Sequence, residues 1–307
     1  MKRDLISLED FSREEILSLL KMSALLKRDR AFRGDHLRGK AVGLLFQKPS
    51  NRTRVSFEVG VFQLGGNCLY LGPDEINLGV RESTADVAKT LSRYLEGIVA
   101  RTFTHQDIVD LARHASVPVI NGLSDMHHPC QALTDIFSIE EKFGKTKGIV
   151  LAYVGDGNNN VCHSLLIGCA KMGIHMHIAT PKKYAPDKDV LKLAKAFARE
   201  TAGRIFLTHS PKEAVAGADV VYSDVWVSMG QEKEVKKRLK DFKGFQINGN
   251  LVKGAKKDFA FMHCLPAHRG QEVTADVIDG SHSIVFDQAE NRLHVQKAIM
   301  AFLIQKP

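Results

Sequence analysis

Residues 46–60 read FQKPSNRTRVSFEVG, and Ser50, Asn51, Arg52, Thr53 and Arg54 stand in consecutive positions there. They follow an apolar run and open a helical pattern. The first N–H groups of a helix lack partners within it, and the helix dipole favours an anion at that end. Hydroxyls add donors, and a guanidinium fork matches phosphate oxygens. An ordinary Ser or Asn cap with two exposed arginines has the same local pattern, so this stretch alone leaves both readings open. Two other segments bear on the choice. Arg101 ends GIVAR, and HHPCQ (127–131) places His128 and Gln131 at the opening of a helix. A histidine in such a place is more often a structural one. It gains weight because it would face the same sheet edge as Arg101 and residues 50–53, where open α/β sheets bind ligands.

Other polar clusters carry less. VGDGNNN (154–160) has Gly155 and Gly157 between a strand and a helix, but Asn160 stands where a dinucleotide fingerprint needs its third glycine. No nucleotide cofactor is expected. HCLPAH contributes His263, Cys264 and His268, and HMH contributes His175 and His177. Alternation along a strand would send His263 and Cys264 to opposite faces, so neither a metal site nor a Cys–His dyad is expected.

The elements that must position these residues alternate. Ser12 and Glu15 form a capping-box pattern ahead of an amphipathic helix. Strands are predicted at 40–47, 67–72, 97–102 and 117–122, with helices at about 53–64, 83–95, 105–115 and 128–144 between and after them. At 145–150 the pattern begins anew with GIVLAYVG and a helix from NVCHSLL. Later strands are expected in 218–226, 259–266 and 282–288, and ENRLHVQKAIMAFLI reads as a last helix. Strict alternation predicts α/β architecture, with two doubly wound parallel sheets flanked by helices. The expected domains are 1–145 and 146–289, with 290–307 as a C-terminal helix.

Composition narrows the classes. Of 307 residues, 43 are Lys or Arg and 35 Asp or Glu, a surplus that suits an anionic partner. The basic runs VKKRLK (235–240) and VKGAKKD (252–258) lack interleaved aromatics, so they read as solvated faces rather than a nucleic-acid surface. No apolar run is long enough to span a bilayer. MKRDLISLED has a basic pair without an apolar stretch behind it, so no secretory signal is expected. Five irregularly spaced cysteines without a CxxC pair fit reduced thiols in the cytoplasm.

Together PSNRTR, VAR, HPCQ and HCLPAHRG resemble the aspartate/ornithine carbamoyltransferases, and DVWVSMG (224–230) resembles the ornithine-using members. The resemblance spans essentially the whole chain. It implies an N-terminal domain for carbamoyl phosphate and a C-terminal domain for the amine, with the site in the cleft between them and the last helix packed on the first domain. Ser50, Asn51, Arg52, Thr53 and Arg101 would hold the phosphate. His128, Pro129, Cys130 and Gln131 would lie at the carbamoyl end, as would Cys264, Leu265 and Arg292. Asp224 and Asn160 would hold the ammonium and carboxylate of ornithine, beneath a lid carrying Ser228 and Met229 with Gly230 as hinge. The implied reaction is carbamoyl transfer to the δ-amine of L-ornithine, giving citrulline and phosphate without cofactor or metal. A homotrimer, or a multiple of one, is implied too, with the Glu82–Ser83 loop near a neighbour's site. Two positions depart from the family: Asn51 replaces a usual Thr, and Asn77 stands where a longer Gln touches carbamoyl phosphate, so Asn77 is left outside the site.

Overall fold

The computed structural model describes residues 2–28, 34–76, 78, 79, 81–228, 230 and 232–304. The chain divides into two compact units, Met1–Phe137 with Glu290–Pro307, and Ser138–Ala289. The first unit starts with α1 (Arg13–Arg28), β1 (Ala41–Phe46), α2 (Asn51–Gln63), β2 (Asn67–Leu71) and α3 (Pro73–Ile76). It continues with α4 (Thr84–Leu91), β3 (Gly97–Arg101), α5 (His105–His114), β4 (Val119–Leu123) and α6 (Pro129–Phe143), the last running into the second unit.

Its strands form a parallel sheet in the order β2-β1-β3-β4. Winding reverses between β1 and β3, so the chain leaves both strands at the same edge. Val42, Leu44, Leu45 and Phe46 of β1 are fully buried, the continuous apolar run expected of a strand covered on both faces. The Ser12–Glu15 capping box forms as predicted: Ser12 N–H donates to Glu15 Oε2 at 2.7 Å, and Glu15 N–H to Ser12 Oγ at 3.2 Å.

The second unit contains β5 (Val150–Val154), α7 (Asn160–Met172), β6 (His175–Ala179), α8 (Lys188–Thr201), β7 (Ile205–Thr208) and α9 (Pro211–Val215). After these come β8 (Val220–Ser223), α10 (Val235–Asp241), α11 (Gly249–Val252), β9 (Ala260–His263), α12 (Ala275–Ile278) and α13 (Val285–Leu303). The sheet order is β7-β6-β5-β8-β9, all parallel, with its switch point between β5 and β8. Asn159 caps α7, its side chain accepting from Cys162 N–H.

Most of α13 belongs to the first unit. A Cβ on Gly60 of α2 would lie 3.1 Å from Met300 Cε, so the glycine permits close packing of the two helices. The buried Lys297 ammonium donates to Leu26 O at 3.1 Å and Gln63 Oε1 at 2.9 Å, joining α13 to α1 and α2. Among the described residues no helix is long and apolar enough to cross a membrane.

The strand expected at 282–288 does not form. Only Ser283 pairs there, in an isolated bridge with Phe261, and the chain enters α13 at Val285. Its β-branched residues suit either element. The periodicity decides: Ile284 and Val285 are buried, Phe286 is 72% exposed and Gln288 is buried again, a helical spacing. The strands expected over 218–226 and 259–266 are also shorter, ending at Ser223 and His263. Asp224, Cys264 and Leu265 therefore lie beyond the strands, where their backbone is free of the ladder.

Candidate active site

On the first unit, residues converge at the carboxyl ends of β1 and β3. Ser50 caps α2, receiving the Thr53 N–H at 3.4 Å while its hydroxyl donates to Thr53 Oγ1 at 3.0 Å. Arg292, from α13, donates through Nη2 to the same Thr53 oxygen at 2.9 Å. Arg101 is the last residue of β3; its backbone pairs with Phe46, and its carbonyl accepts from Gln47 N–H at 2.8 Å. The sheet thereby fixes where the Arg101 side chain, which is buried, leaves the backbone. His128 lies just before α6, with Pro129 as its first residue.

These groups act on one another electrostatically. Burial holds the His128 pKa well below its usual value, and the guanidiniums of Arg292, Arg101 and Arg52 depress it further. His128 is consequently a neutral imidazole at physiological pH, able to donate one N–H. Gln131 donates through Nε2 to Asp135 Oδ1 at 2.8 Å, while its buried Oε1 has no hydrogen-bond partner among the described residues; nor has the buried Nε of Arg52. Polar atoms left this way in an interior are costly unless a bound molecule or water meets them. Asn51 is exposed and offers the first helical N–H. Cys130 turns its thiol to Asn121 O at 3.4 Å, and burial raises its pKa to about 12. That thiol stays protonated. The arrangement is a cationic cradle able to hold a compact dianion and polarise a carbonyl.

The second unit gathers a different set at the ends of β5, β8 and β9. Asp224, just past β8, is buried and accepts from Asn159 Nδ2 at 2.9 Å, Val225 N–H at 2.8 Å and Cys264 Sγ at 3.0 Å. A carboxylate has about four acceptor sites, which leaves room for an ammonium donor. Gly155, at φ +146°, turns the chain beside Ser223 Oγ and Asp224 O. Asn160 is the first residue of α7 and half-buried, and Ser228 lies half-buried in the loop after β8. Met229 lies outside the described residues, as does Asn77.

Three features were not read from the sequence. Asn159, the cap of α7, carries the side chain that holds Asp224, whereas the adjacent Asn160 is the one that fills a motif position. His263 and Cys264 were placed on opposite faces by strand alternation, yet they and Asp224 each offer a ligand atom within 4.8 Å of the others. Alternation does not extend to Cys264 because β9 stops at His263. Those lone pairs are largely engaged already: His263 Nδ1 accepts from Leu265 N–H at 2.9 Å, and Asp224 carries the bonds described above. Finally, Arg238 of α10 forms a buried ion pair with Asp156 at 2.7 Å and donates to Trp226 O at 2.9 Å. This pair anchors the loop that carries Asp224 and Ser228, and no local pattern marks it.

Comparisons with known proteins agree across the chain. Residues 3–141 match the family described as aspartate/ornithine carbamoyltransferase, carbamoyl-P binding domain, and residues 147–303 match its Asp/Orn binding domain. An ornithine carbamoyltransferase of Thermococcus kodakarensis is 55% identical over 304 residues, covering 98% of this chain and 96% of the relative. The solved structure of ornithine carbamoyltransferase from Pyrococcus furiosus superposes with TM-score 0.95 at 52% identity, covering 98% and 97% of the two chains. That from Thermus thermophilus gives TM-score 0.89 at 45% identity, with 99% and 100% covered.

Proposed function

The chain belongs to the aspartate/ornithine carbamoyltransferase family, and we propose that it transfers the carbamoyl group of carbamoyl phosphate to the δ-amine of L-ornithine, yielding citrulline and phosphate. The observation that carries this reading is the trio of Arg52, Arg101 and Arg292 around a neutral His128. The phosphate is taken by the α2 N-terminus through Ser50, Asn51, Arg52 and Thr53, with Arg101 beside it. His128, Arg101 and Arg292 stabilise the carbonyl oxygen as it becomes an oxyanion, in a site where such donors need no reorganisation. Because His128 is neutral, it contributes a hydrogen bond without adding a fourth charge that could trap product phosphate. Gln131 and the Leu265 carbonyl receive the carbamoyl NH₂.

Ornithine is recognised by Asp224 at its α-ammonium and Asn160 at its α-carboxylate, with Ser228 and Met229 in the loop above. Aspartate, with a second carboxylate, has no matching cation in this set. Cys264 faces the δ-nitrogen as a neutral contact, since its thiol already donates to Asp224. The chemical obstacle is that nitrogen's own proton. An alkyl ammonium has a pKa of about 10.4, so near neutral pH about one molecule in a thousand is nucleophilic. Departing phosphate is a sufficient acceptor for the last proton.

Assays of carbamoyl phosphate with ornithine, aspartate, acetylornithine and putrescine should give ureido product chiefly from ornithine. With ornithine, kcat/KM should climb about tenfold per pH unit between about pH 6 and 9, following the free amine. No inflection is expected at the usual histidine value, because His128 titrates well below it. A flat profile contradicts the mechanism.

The chain acts, in this reading, in a reducing cytoplasm and in arginine synthesis, in keeping with its 53% identity to an anabolic ornithine carbamoyltransferase of Pyrococcus furiosus. None of the five cysteines is joined in a disulfide. Assembly into trimers, or multiples of them, is supported by an apolar stripe on α2, where Val55, Val59 and Phe62 are 51%, 36% and 60% exposed at helical spacing. Leu69 on the edge strand β2 is exposed too. Light scattering should give a mass of three protomers or a multiple, and charged substitutions at Val59 and Phe62 should lower it.

A further inference from the structure

Leu265 has φ +57°, in the left-handed region that a leucine seldom adopts, and it directly follows Cys264. What holds it there is a side chain two residues back. Leu265 N–H donates to His263 Nδ1 at 2.9 Å. That nitrogen must be unprotonated to accept, so the ring's proton is on Nε2. Nε2 lies 3.4 Å from Glu272 Oε1, and both side chains are wholly buried. The same carboxylate accepts the His268 N–H, and the His263 backbone N–H donates to Gln288 Oε1 at 3.0 Å. The ring is thus held through Nδ1 by the Leu265 N–H, while a buried carboxylate faces its protonated nitrogen from the other side without a hydrogen bond. A carboxylate there favours the Nε2–H tautomer, the one that leaves Nδ1 free to accept.

We propose that Glu272 is a positioning residue for carbamoyl transfer: it selects the tautomer of His263 that captures the Leu265 N–H, and so aims the Leu265 carbonyl and the Cys264 thiol. The proposal rests on the reading that these two groups meet the carbamoyl NH₂ and the attacking nitrogen. Glu272 touches neither substrate. Its effect is carried through one imidazole and one peptide unit, so loss of it should disturb reaction geometry more than substrate capture.

The test compares Glu272→Gln, His263→Asn and the double variant. Glutamine keeps the shape and can still accept the His268 N–H, but presents no negative charge to Nε2. Asparagine at 263 places an oxygen near the position of Nδ1 and has no tautomers. Glu272→Gln should lower kcat about 10- to 100-fold with KM for both substrates nearly unchanged, the range seen when the groups that orient metal-ligating histidines are removed. In the His263→Asn background the same change should have little further effect. Nitrogen-15 NMR of the imidazoles should show His263 protonated at Nε2 in the unaltered protein and a tautomer mixture in Glu272→Gln. Full kcat in Glu272→Gln, an unchanged tautomer, or a loss that merely tracks the unfolded fraction overturns the proposal. If the unaltered protein makes no ureido product from ornithine, the functional reading fails instead, while the NMR comparison still judges the brace.

Discussion

Leucine in place of Arg101 is expected to leave the fold intact and lower kcat for ureido formation about a thousandfold or more. The fold should persist because the backbone at 101 is held by β1, through the Phe46 pairing and the Gln47 N–H bond to the Arg101 carbonyl. The side chain is another matter. It is buried, and it is one of three guanidiniums whose charge reaches His128. Removing a single oxyanion donor from a preorganised site lowers rates about 10²–10³-fold, and removing an arginine that stabilises a phosphoryl group in its transition state lowers them about 10³–10⁵-fold. Arg101 is read as serving both ends of carbamoyl phosphate, which places the expected loss at the upper end of the first range or beyond. His128 should respond as well. With one cation gone its pKa moves back towards the ordinary value, so the acid limb of the rate profile should shift to higher pH. Lysine at 101 restores charge without the planar fork and should recover only part of the rate. Steady-state kinetics alongside thermal melting decide the matter; a loss under tenfold would remove Arg101 from the machinery.

The largest effect on stability is expected at Arg238→Met, which should destabilise the protein by about 3–5 kcal/mol, the usual result of stripping one partner from a buried ion pair. Asp156 remains, almost wholly buried, and among the described residues the Asn158 N–H at 2.9 Å is then the one donor still bonded to its carboxylate. Burial already pushes the Asp156 pKa up, against the opposing pull of Arg238. Without Arg238 it rises further. A carboxyl whose folded pKa lies above its unfolded value takes up a proton on folding, so the variant's deficit should be greatest above that folded pKa and shrink as pH falls through it. Urea titrations at about pH 8 and about pH 5 should show the difference. The double change Asp156→Leu with Arg238→Met should recover much of the loss, since an apolar pair of similar size avoids the desolvation penalty. Ornithine KM should rise in the single variant, because Arg238 also holds Trp226 O, two residues past Asp224.

The phosphate turn illustrates how far residue types alone reach. Ser50 caps α2 as its position before a helical run predicts, and the Ser12–Glu15 box forms between the atoms expected of it. Such bonds join residues three or four apart, so their determinants lie within a short window. The strand–helix alternation was legible for the same reason. Apolar runs bounded by Gly, Pro and polar residues mark strands buried on both faces, and nine parallel strands in two sheets follow among the described residues. The resemblance extended this to whole motifs and named Arg101, His128 and Arg292 together.

Where local pattern was asked to settle orientation, it failed. SIVF carries β-branched residues that suit a strand, but β9 is met only by a single bridge at Ser283, and the segment buries Ile284, Val285 and Gln288 at the spacing of a helix as it enters α13. His263 and Cys264 were separated by an alternation that holds only inside a strand, and the strand had ended.

What residue order by itself determined here is the set of elements, their caps and the chemical character of each sheet edge. Tertiary structure alone decided which distant groups meet: Arg292 with Thr53 across 239 positions, Asn159 with Asp224 across 65, and Arg238 with Asp156 across 82. It also decided that Glu272 faces His263 in a buried space, and that Val55 and Phe62 of α2 stay uncovered on this chain. The reason is physical. Capping and periodicity are set by bonds within one or two turns, whereas burial, the pKa of His128 and the tautomer of His263 depend on charges and surfaces brought together by packing of the whole unit.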